Sequence, residues 1–537
     1  MAEDSITKNF KEHSIAEFFK KNKQMLGFSG KVRSLTTIVH ELVTNSIDAA
    51  EENNILPEIA VKIDSLGDDH YKIQVEDNGP GIPMALIGKA LGQMLAGTKF
   101  HRYVQQRGQQ GIGCSACTMY SILTTGKTVH AISYNKGKKV ECDVGINFKT
   151  NRAEIENVVE SDVPEEKTGL IYIAEFKEVG YERSNHGVYE YLRRTALANP
   201  HIKITLTEPN GETIVFPRSV ENNPQRPKEI QPHPLGIGPH DLLEIAKHQK
   251  QSDKISSFLQ ESFARVSANK VKELEEKLPE INFNKKPANM EWEDAEKMVK
   301  AFQEVKWIAP ATDSIVPIGK EQIEKSFNNI FNPEFLIVSE RSPKIFKGGI
   351  AFAVETAIAF GGGVAESGKR GEVMRFANRV PLLFDGGGCA ITQTVKSIDW
   401  NRYHLKKFDE EPIVVLVNLV SVHVPYTGAG KQAIADEQEI MDEMKNAVME
   451  TARKIQVHIS GKRRAHEVES KKKLILRYVE QLSGDLTRLA EYKKDDLRKM
   501  LLKIVEEKYT KVIEEPEEKG ETENNDNEAE ASEENEG

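Results

Sequence analysis

HELVTNSIDAA, residues 40–50, places Glu41, Asn45 and Asp48 at i, i+4 and i+7 in an otherwise helix-forming run. That spacing gathers them on one face of a helix. From about Ser34 to Glu52 the pattern predicts such a helix, with Leu35, Ile38, Val39, Leu42 and Ala49 as its apolar face. The polar face has two descriptions: a solvated surface stripe, or a pocket wall waiting for something cationic. The stretch also begins like the zinc signature H-E-x-x-H. Thr44 stands where the second histidine belongs, so the zincin reading fails.

Two runs of alternating apolar and polar residues follow, IAVKIDSL (59–66) and YKIQVED (71–77), and both predict strands. The second runs straight into DNGPGIP (77–83). A helical pattern over Ala85 to Leu95 leads to AGTK (96–99) and then to a polar, glycine-containing loop, Phe100 to Gly113. The segments VHAISYN, LIYIAEF and HIKITLTEP read as further strands, which makes the region to about residue 218 a layered α+β domain. NNPQRPKEIQPHP (222–234) holds four prolines in thirteen residues and reads as a linker. Beyond it, DLLEIAKHQ, ISSFLQESFARV and ANKVKELEEKL predict a small all-α unit to about residue 306. A mixed region over about 307–460 contains the strand-like GGIAFAVETAIAF, MRFANRVPLLF and PIVVLVNLVSVHVP. A largely helical stretch from Asp436 to about Glu507 includes the basic run Arg453 to Arg477.

The chain has 537 residues, too many for a single core, so several domains are expected. Its net charge of −10 hides an uneven distribution. Residues 514–537 carry twelve Asp/Glu against one Lys, and removing them leaves +1 for the rest. That tail has too little apolar surface to offset its ordering entropy and is expected to be disordered. The near-neutral remainder lifts the objection to nucleic acid that an acidic protein would raise. No apolar run reaches the ~18 residues of a membrane helix, and MAEDSITKNFKEHS lacks the apolar core of a secretory signal. A cytoplasmic protein is expected. Of four cysteines only Cys114 and Cys117 form a C-x-x-C, with no second pair at zinc spacing, so reduced thiols are expected.

Three glycine motifs carry the chemistry. At Asp77-Asn78-Gly79-Pro80-Gly81 the modest reading is a turn after a strand. The functional reading gives Asp77 the exocyclic amine of a purine, with Gly79 and Gly81 letting the base approach the backbone. Arg107-Gly108-Gln109-Gln110-Gly111-Ile112-Gly113 precedes the helical pattern CSACTMYSILT. It reads as a flexible loop or as an anion site at a helix N-terminus. GAGK (428–431) invites a Walker A reading, but Pro425 replaces its first glycine and Gln432 its Ser/Thr. Lys431 is left as a long cationic arm on a loop, suited to a γ-phosphate.

Taken in order, E-x-x-x-N on a helix, D-x-G-x-G after a strand and a glycine loop before a helix resemble the GHKL superfamily. Its Bergerat ATP-binding fold, an α/β sandwich, is shared by gyrase, a class of heat-shock chaperones, histidine kinases and MutL repair proteins. The resemblance implies Glu41 as general base, Asn45 as magnesium ligand, Asp77 on the adenine amine and the loop on the phosphates. The physics suits these roles. A carboxylate near a triphosphate can polarise water, magnesium accepts a single carbonyl oxygen, and phosphoryl transfer needs no covalent nucleophile. Asp48 is left undecided between the pocket and a backbone cap.

Further stretches narrow the family: AEFFKKN (16–22), EIQPHP, FNPEF (331–335), MRFANRVPLL and AGKQAIA. With the nucleotide motifs they resemble the B subunits of the archaeal type IIB DNA topoisomerases along nearly the whole chain. That resemblance adds Thr98, Lys99, Gly108, Gln109, Gln110, Gly111, Ile112, Gly113, Cys114, Ser115 and Lys431 to the ATP and Mg2+ site. Cys114-Ser115 depart from the basic residue that some relatives carry at the lid's end, a loss of little weight if backbone amides hold the phosphates. The implied layout is an ATP-binding domain (1–228), a helix–two-turns–helix domain (229–306), an α/β transducer domain (307–470), a partner-docking helical segment (471–512) and the acidic tail (513–537).

The implied activity is an ATP-driven clamp on duplex DNA. It dimerises through its ATP domains and passes one duplex through a break made by a separate A subunit, in an A2B2 heterotetramer. The basic run Arg453 to Arg477 is either a solvated face or a DNA contact. A MutL-like repair ATPase is opposed by the helical unit at 222–306. A non-hydrolysing nucleotide-gated scaffold would have no use for Glu41. A histidine kinase would place the fold after a phosphoacceptor helix, and a gyrase subunit would continue into an acidic cleavage domain. Neither feature is present in the sequence.

Overall fold

The computed structural model describes residues 23–24, 27–97, 103–108, 111–148, 150–249, 252–405, 407–428, 430–489 and 493–514. AEFFKKN, Thr98, Lys99, Gln109, Gln110 and nearly all of the acidic tail lie outside the described residues. Two compact units divide the chain between Ala452 and Arg453.

The first layer is built on α1 (Lys31–Glu52), three residues longer at its start than the apolar pattern predicts. Leu35, Ile38, Val39, Leu42, Val43 and Ile47 recur at steps of three and four and are all buried. Outside the cavity-facing side with Glu41 and Asn45, burial extends to Thr36, Thr37, Thr44 and Ser46, which are small and find hydrogen-bond partners elsewhere in the fold. α1 packs on an eight-stranded sheet formed by β1 (Glu58–Gly67), β2 (His70–Asp77), β3 (Val129–Asn135), β4 (Lys138–Asn147), β5 (Arg152–Asp162), β6 (Gly169–Lys177), β7 (Lys203–Thr207) and β8 (Thr213–Phe216). Its order is β5-β4-β3-β6-β2-β1-β7-β8, antiparallel except where β1 runs parallel to β7. On β1 the inward residues Ile59, Val61 and Ile63 alternate with exposed ones, so one face meets the helices. α2 (Met84–Gly92), α3 (Gly113–Thr125) and α4 (Val188–Ala198) complete the helical layer. The helix predicted to reach Leu95 ends at Gly92; Gln93 is extended and Met94 and Leu95 form a turn.

Four helices, α5 (Pro239–His248), α6 (Ile255–Ser262), α7 (Ala268–Lys277) and α8 (Trp292–Glu304), enclose a core of their own around Phe258, Phe263, Met298 and Phe302. The mixed region follows with α9 (Lys320–Ile330), β9 (Phe335–Glu340), β10 (Lys344–Phe346), β11 (Ile350–Phe360), α10 (Gly363–Glu366), β12 (Glu372–Ala377), β13 (Val380–Pro381), α11 (Ala390–Lys396) and β14 (Ile413–Ser421). These strands form a second sheet, ordered β10-β11-β14-β12-β13 with β9 also on β11. β11 and β14 read as continuous apolar runs because both of their faces are covered. α9 and the end of α4 supply Phe327, Phe331, Leu197 and Ala198 on one side, and Thr356 donates to the Ala447 carbonyl on the other.

The chain ends in α12 (Gln438–Leu489) and α13 (Lys494–Glu514). In the second unit Glu480 accepts from Lys494 at 3.1 Å and from Arg498 at 2.9 Å, so the two helices are pinned near their junction. The expected fold class holds: an α/β nucleotide-binding sandwich, a small all-α unit, a second α/β region and C-terminal helices.

Candidate functional site

α1 and α3, the end of β2 and a loop from the second sheet converge on a cavity of about 390 Å³. Glu41, Asn45, Asp77, Gly108, Gly111, Ile112, Gly113, Cys114, Ser115 and Lys431 all line it. Every sequence-derived site residue that the structure describes is thus brought together; Thr98, Lys99, Gln109 and Gln110 lie outside the described residues. Sequence reasoning gave no role to His40, Ser46, Gly97, Leu170 and Tyr172, and none to Arg107 apart from its loop, yet all line the cavity too. Ala49, assigned above to the apolar face, lies in the cavity wall instead.

The end of β2 fixes Asp77 in the cavity wall. Its Oδ1 accepts the N–H of Gly79 at 2.9 Å and of Leu170 at 3.2 Å, while Oδ2 accepts the Ser46 hydroxyl at 2.7 Å. Burial pushes this carboxyl upward, and the three hydrogen bonds work against that shift. Oδ2 keeps one lone pair for a further donor. Gly81, with φ +70°, is required by space as well as by conformation. A Cβ there would lie 2.0 Å from the Tyr134 carbonyl oxygen.

Glu41 is held one helical turn before Asn45, whose carboxamide is exposed to the cavity. The Glu41 carboxylate packs against the first residue of α3, and a Cβ on Gly113 would lie 1.9 Å from its Oε2. The glutamate tip is the movable partner in that clash. On the general-base role that the resemblance implies for Glu41, Gly113→Ala is therefore expected to fold normally, displace Glu41 and lower ATP turnover about tenfold to a hundredfold. Steady-state hydrolysis beside a thermal melt reads both effects, and unchanged turnover would refute the Glu41 placement.

The start of α3 offers backbone amides without intrahelical acceptors, the arrangement that holds anions. Ser115 donates its hydroxyl to the Ile112 carbonyl at 2.9 Å, so its proton is spent inside the turn. Burial and the neighbouring Glu41 push the Cys114 thiol up to about 12. Burial likewise raises Cys117, and no cysteine among the described residues is disulfide-bonded. Burial thus favours the neutral thiol at both, whereas a zinc site would need thiolates.

Asp48 has a definite partner. Arg107, the first residue of the glycine loop, donates to Asp48 Oδ1 at 2.7 Å and to both oxygens of Glu51 at 2.8 Å. His201 also bonds Glu51, at 2.7 Å. Burial alone would raise the Glu51 carboxyl, but Arg107 and His201 outweigh it and hold it well below the usual carboxylate range. Asp48 thus anchors the loop's root, two turns beyond Glu41 along the same face. From the second sheet's side, Lys431 reaches the same root, its Nζ 3.4 Å from the Arg107 carbonyl oxygen. The adjacent Gln432 holds the loop before α11: its Oε1 accepts the Phe384 N–H at 3.3 Å. Asp385 then closes a two-pronged pair with Arg33 of α1 at 2.9 Å.

Residues 30–148 match the family of histidine kinase-, DNA gyrase B- and HSP90-like ATPases, and residues 310–472 match the transducer of the topoisomerase VI B subunit. The chain is 43% identical to the B subunit of type 2 DNA topoisomerase 6 from Pyrococcus horikoshii, over 94% of this chain and 96% of that one. It is 44% identical to the same subunit from Methanothermobacter thermautotrophicus, over 93% and 96%. The solved 43K ATPase domain of Thermus thermophilus gyrase B is a far looser likeness, with 14% identity and a TM-score of 0.39 over 83% of this chain and 90% of that one.

Proposed function

This chain belongs to the family of type 2 DNA topoisomerase 6 B subunits, and from that premise we propose how its cavity binds and hydrolyses ATP to drive strand passage. Asp77 takes the adenine amine on the open lone pair of Oδ2. The amides from Gly108 to Ser115, with Thr98, Lys99, Gln109 and Gln110, cradle the phosphates. Glu41 polarises the attacking water, and Lys431 meets the γ-phosphate from the transducer side. A carboxamide oxygen exposed beside the phosphate amides fits magnesium, which takes few protein ligands and keeps phosphate oxygens and water. Among the described residues no cluster of three or more His, Cys, Asp or Glu offers a closed metal cage. Asn45 would hold the ion, whose chemistry when bound is to neutralise phosphate charge.

The observation that supports this reading best is Lys431. A loop of the second sheet places its amine at the root of the glycine loop, in one cavity with Glu41 and Asn45. Hydrolysis removes a ligand shared by two domains, so the balance between their arrangements shifts with nucleotide state.

The layout proposed with it is an ATP-binding domain over 1–228, a helix–two-turns–helix domain over 229–306 and a transducer over 307–470. The segment 471–512 docks an A subunit carrying the cleavage tyrosine, giving an A2B2 assembly whose ATP domains pair around duplex DNA. In support, Leu474, Tyr478, Leu482 and Leu489 form an exposed apolar stripe along α12. The basic run 453–477 is a candidate phosphate contact. Among the described residues no helix is long and apolar enough to cross a membrane, and a cytoplasmic, nucleoid-associated location suits the activity.

Relaxation of supercoiled DNA with ATP and magnesium tests the proposal. This chain alone should hydrolyse ATP without relaxing DNA, and adding a tyrosine-bearing A subunit should restore relaxation. Relaxation by the chain alone, or no hydrolysis in either mixture, would overturn it.

A further inference from the structure

Residues 105–107, the root of the glycine loop, are each tied to the transducer side of the chain. Gln105 exchanges two hydrogen bonds with Val316: Nε2 donates to the carbonyl at 2.9 Å and Oε1 accepts the N–H at 2.7 Å. The Gln106 carbonyl accepts from Asn378 Nδ2 at 3.2 Å. Arg107 donates to Asn199 Oδ1 at 2.7 Å, and Asn199 Nδ2 donates in turn to the Arg379 carbonyl at 3.1 Å. A second cavity of about 350 Å³ is lined by these loop-root residues together with Val316, Asn378 and Arg379, and Arg107 lines both cavities.

Asn378 and Arg379 form the two-residue turn between β12 and β13, with Ala377 opposite Val380. Their φ angles are +48° and +68°. A turn of this hand favours Asn-Gly, since a side chain at its second position is strained. This chain keeps an arginine there and buries it. The guanidinium braces the Pro317 carbonyl at 2.7 Å, next to the residue that holds Gln105, while its Nε has no acceptor. Asn378 fastens the turn to β14, accepting the Ser421 N–H at 2.9 Å and donating to its carbonyl at 2.8 Å. A strained, over-determined turn of this kind points to a role beyond closing a hairpin.

We propose that the Asn378–Arg379 turn is a positioning element for ATP turnover: it holds the glycine loop's root and carries nucleotide occupancy into β12 and β14, in parallel with Lys431. This rests on the ATP reading above. Gln106 bonds the turn directly and Arg107 through Asn199, so a loop that shifts with nucleotide alters bonds on the transducer side.

Three variants of the full chain separate the routes. Asn199→Asp keeps the acceptor for Arg107 but loses the donor to Arg379. Arg379→Gly suits the turn, so it folds, yet removes the brace on Pro317. Lys431→Ala cuts the other route. Hydrogen exchange over residues 372–384 is measured with and without a non-hydrolysable ATP analogue and magnesium, beside analogue affinity and turnover.

The wild type should bind the analogue and protect this segment. The first two variants should keep affinity within about threefold, lose most of the protection and lose about tenfold in kcat. Lys431→Ala should keep the protection. Full protection in either of the first two variants, or its loss in Lys431→Ala alone, would overturn the parallel route. Failure of the wild type to bind the analogue would instead remove the ATP reading.

Discussion

Glu41→Ala should lose about 10²- to 10⁴-fold of ATP turnover while keeping nucleotide affinity within a few-fold, because a general base contributes in the transition state and little in binding. The structure makes the substitution clean. Alanine is the best helix former, and Glu41 sits mid-helix between turns anchored by Ile38, Val39, Leu42 and Val43. The side chain is 35% exposed, so its removal opens no core cavity. His40 is its neighbour, with Nε2 3.9 Å from the carboxylate, too far for a hydrogen bond. Burial, aided by Lys431, pushes that imidazole's pKa down. At neutral pH it is therefore an uncharged neighbour that cannot replace the lost carboxylate charge. Glu41→Gln should lose as much as Glu41→Ala, since it keeps the shape and lacks the basicity. Steady-state hydrolysis with a fluorescent-nucleotide titration reads both quantities. Normal turnover in either variant would refute Glu41 as the general base.

How much of this site is legible in the sequence depends on the range of the interactions that build it. Glu41, Asn45 and the apolar positions of α1 are fixed by helical spacing alone, and Asp77 by the end of an alternating strand. The remainder is set by partners far along the chain. Thr44 is buried against Tyr191, 147 residues away, and Asp48 pairs with Arg107, 59 residues away. No local pattern distinguishes such an aspartate from a pocket ligand. β5 escapes a period-two reading for another reason. It is an edge strand whose Ala153 and Ile155 still alternate against the helices, but from Glu156 onward it is exposed on both faces, with Val158 and Val159 in solvent among acidic residues. Lys431 is a third case. The failed Walker A match removes one role for it, and the family resemblance supplies another. Only the fold carries it to Arg107.

Asp77→Asn should weaken ATP recognition sharply without harming the fold, and lone-pair accounting shows why one atom suffices. Oδ1 is filled by the N–H groups of Gly79 and Leu170. An asparagine must keep its oxygen there, because the reverse orientation leaves two buried donors facing an amide donor, at about 1–3 kcal/mol each. The NH2 group then occupies the place of Oδ2. Ser46 can rotate to accept from it, but an adenine amine meets a donor where it needs an acceptor. The expected loss in ATP affinity is about a hundredfold, or ~2.7 kcal/mol. Stability should hold or rise. Burial raises the folded carboxyl above its unfolded value, so ionised Asp77 costs stability as pH climbs through that range, and the neutral amide removes the cost. A purine with a carbonyl at the same ring position presents an acceptor to the new NH2, so ATP preference over GTP should shrink as well. Titrating both nucleotides against each protein, beside a thermal melt, separates the terms. Unchanged ATP affinity in a folded Asp77→Asn would sink the adenine contact. A lost affinity with a collapsed melting temperature would show that Asp77 holds the β2 turn rather than the base.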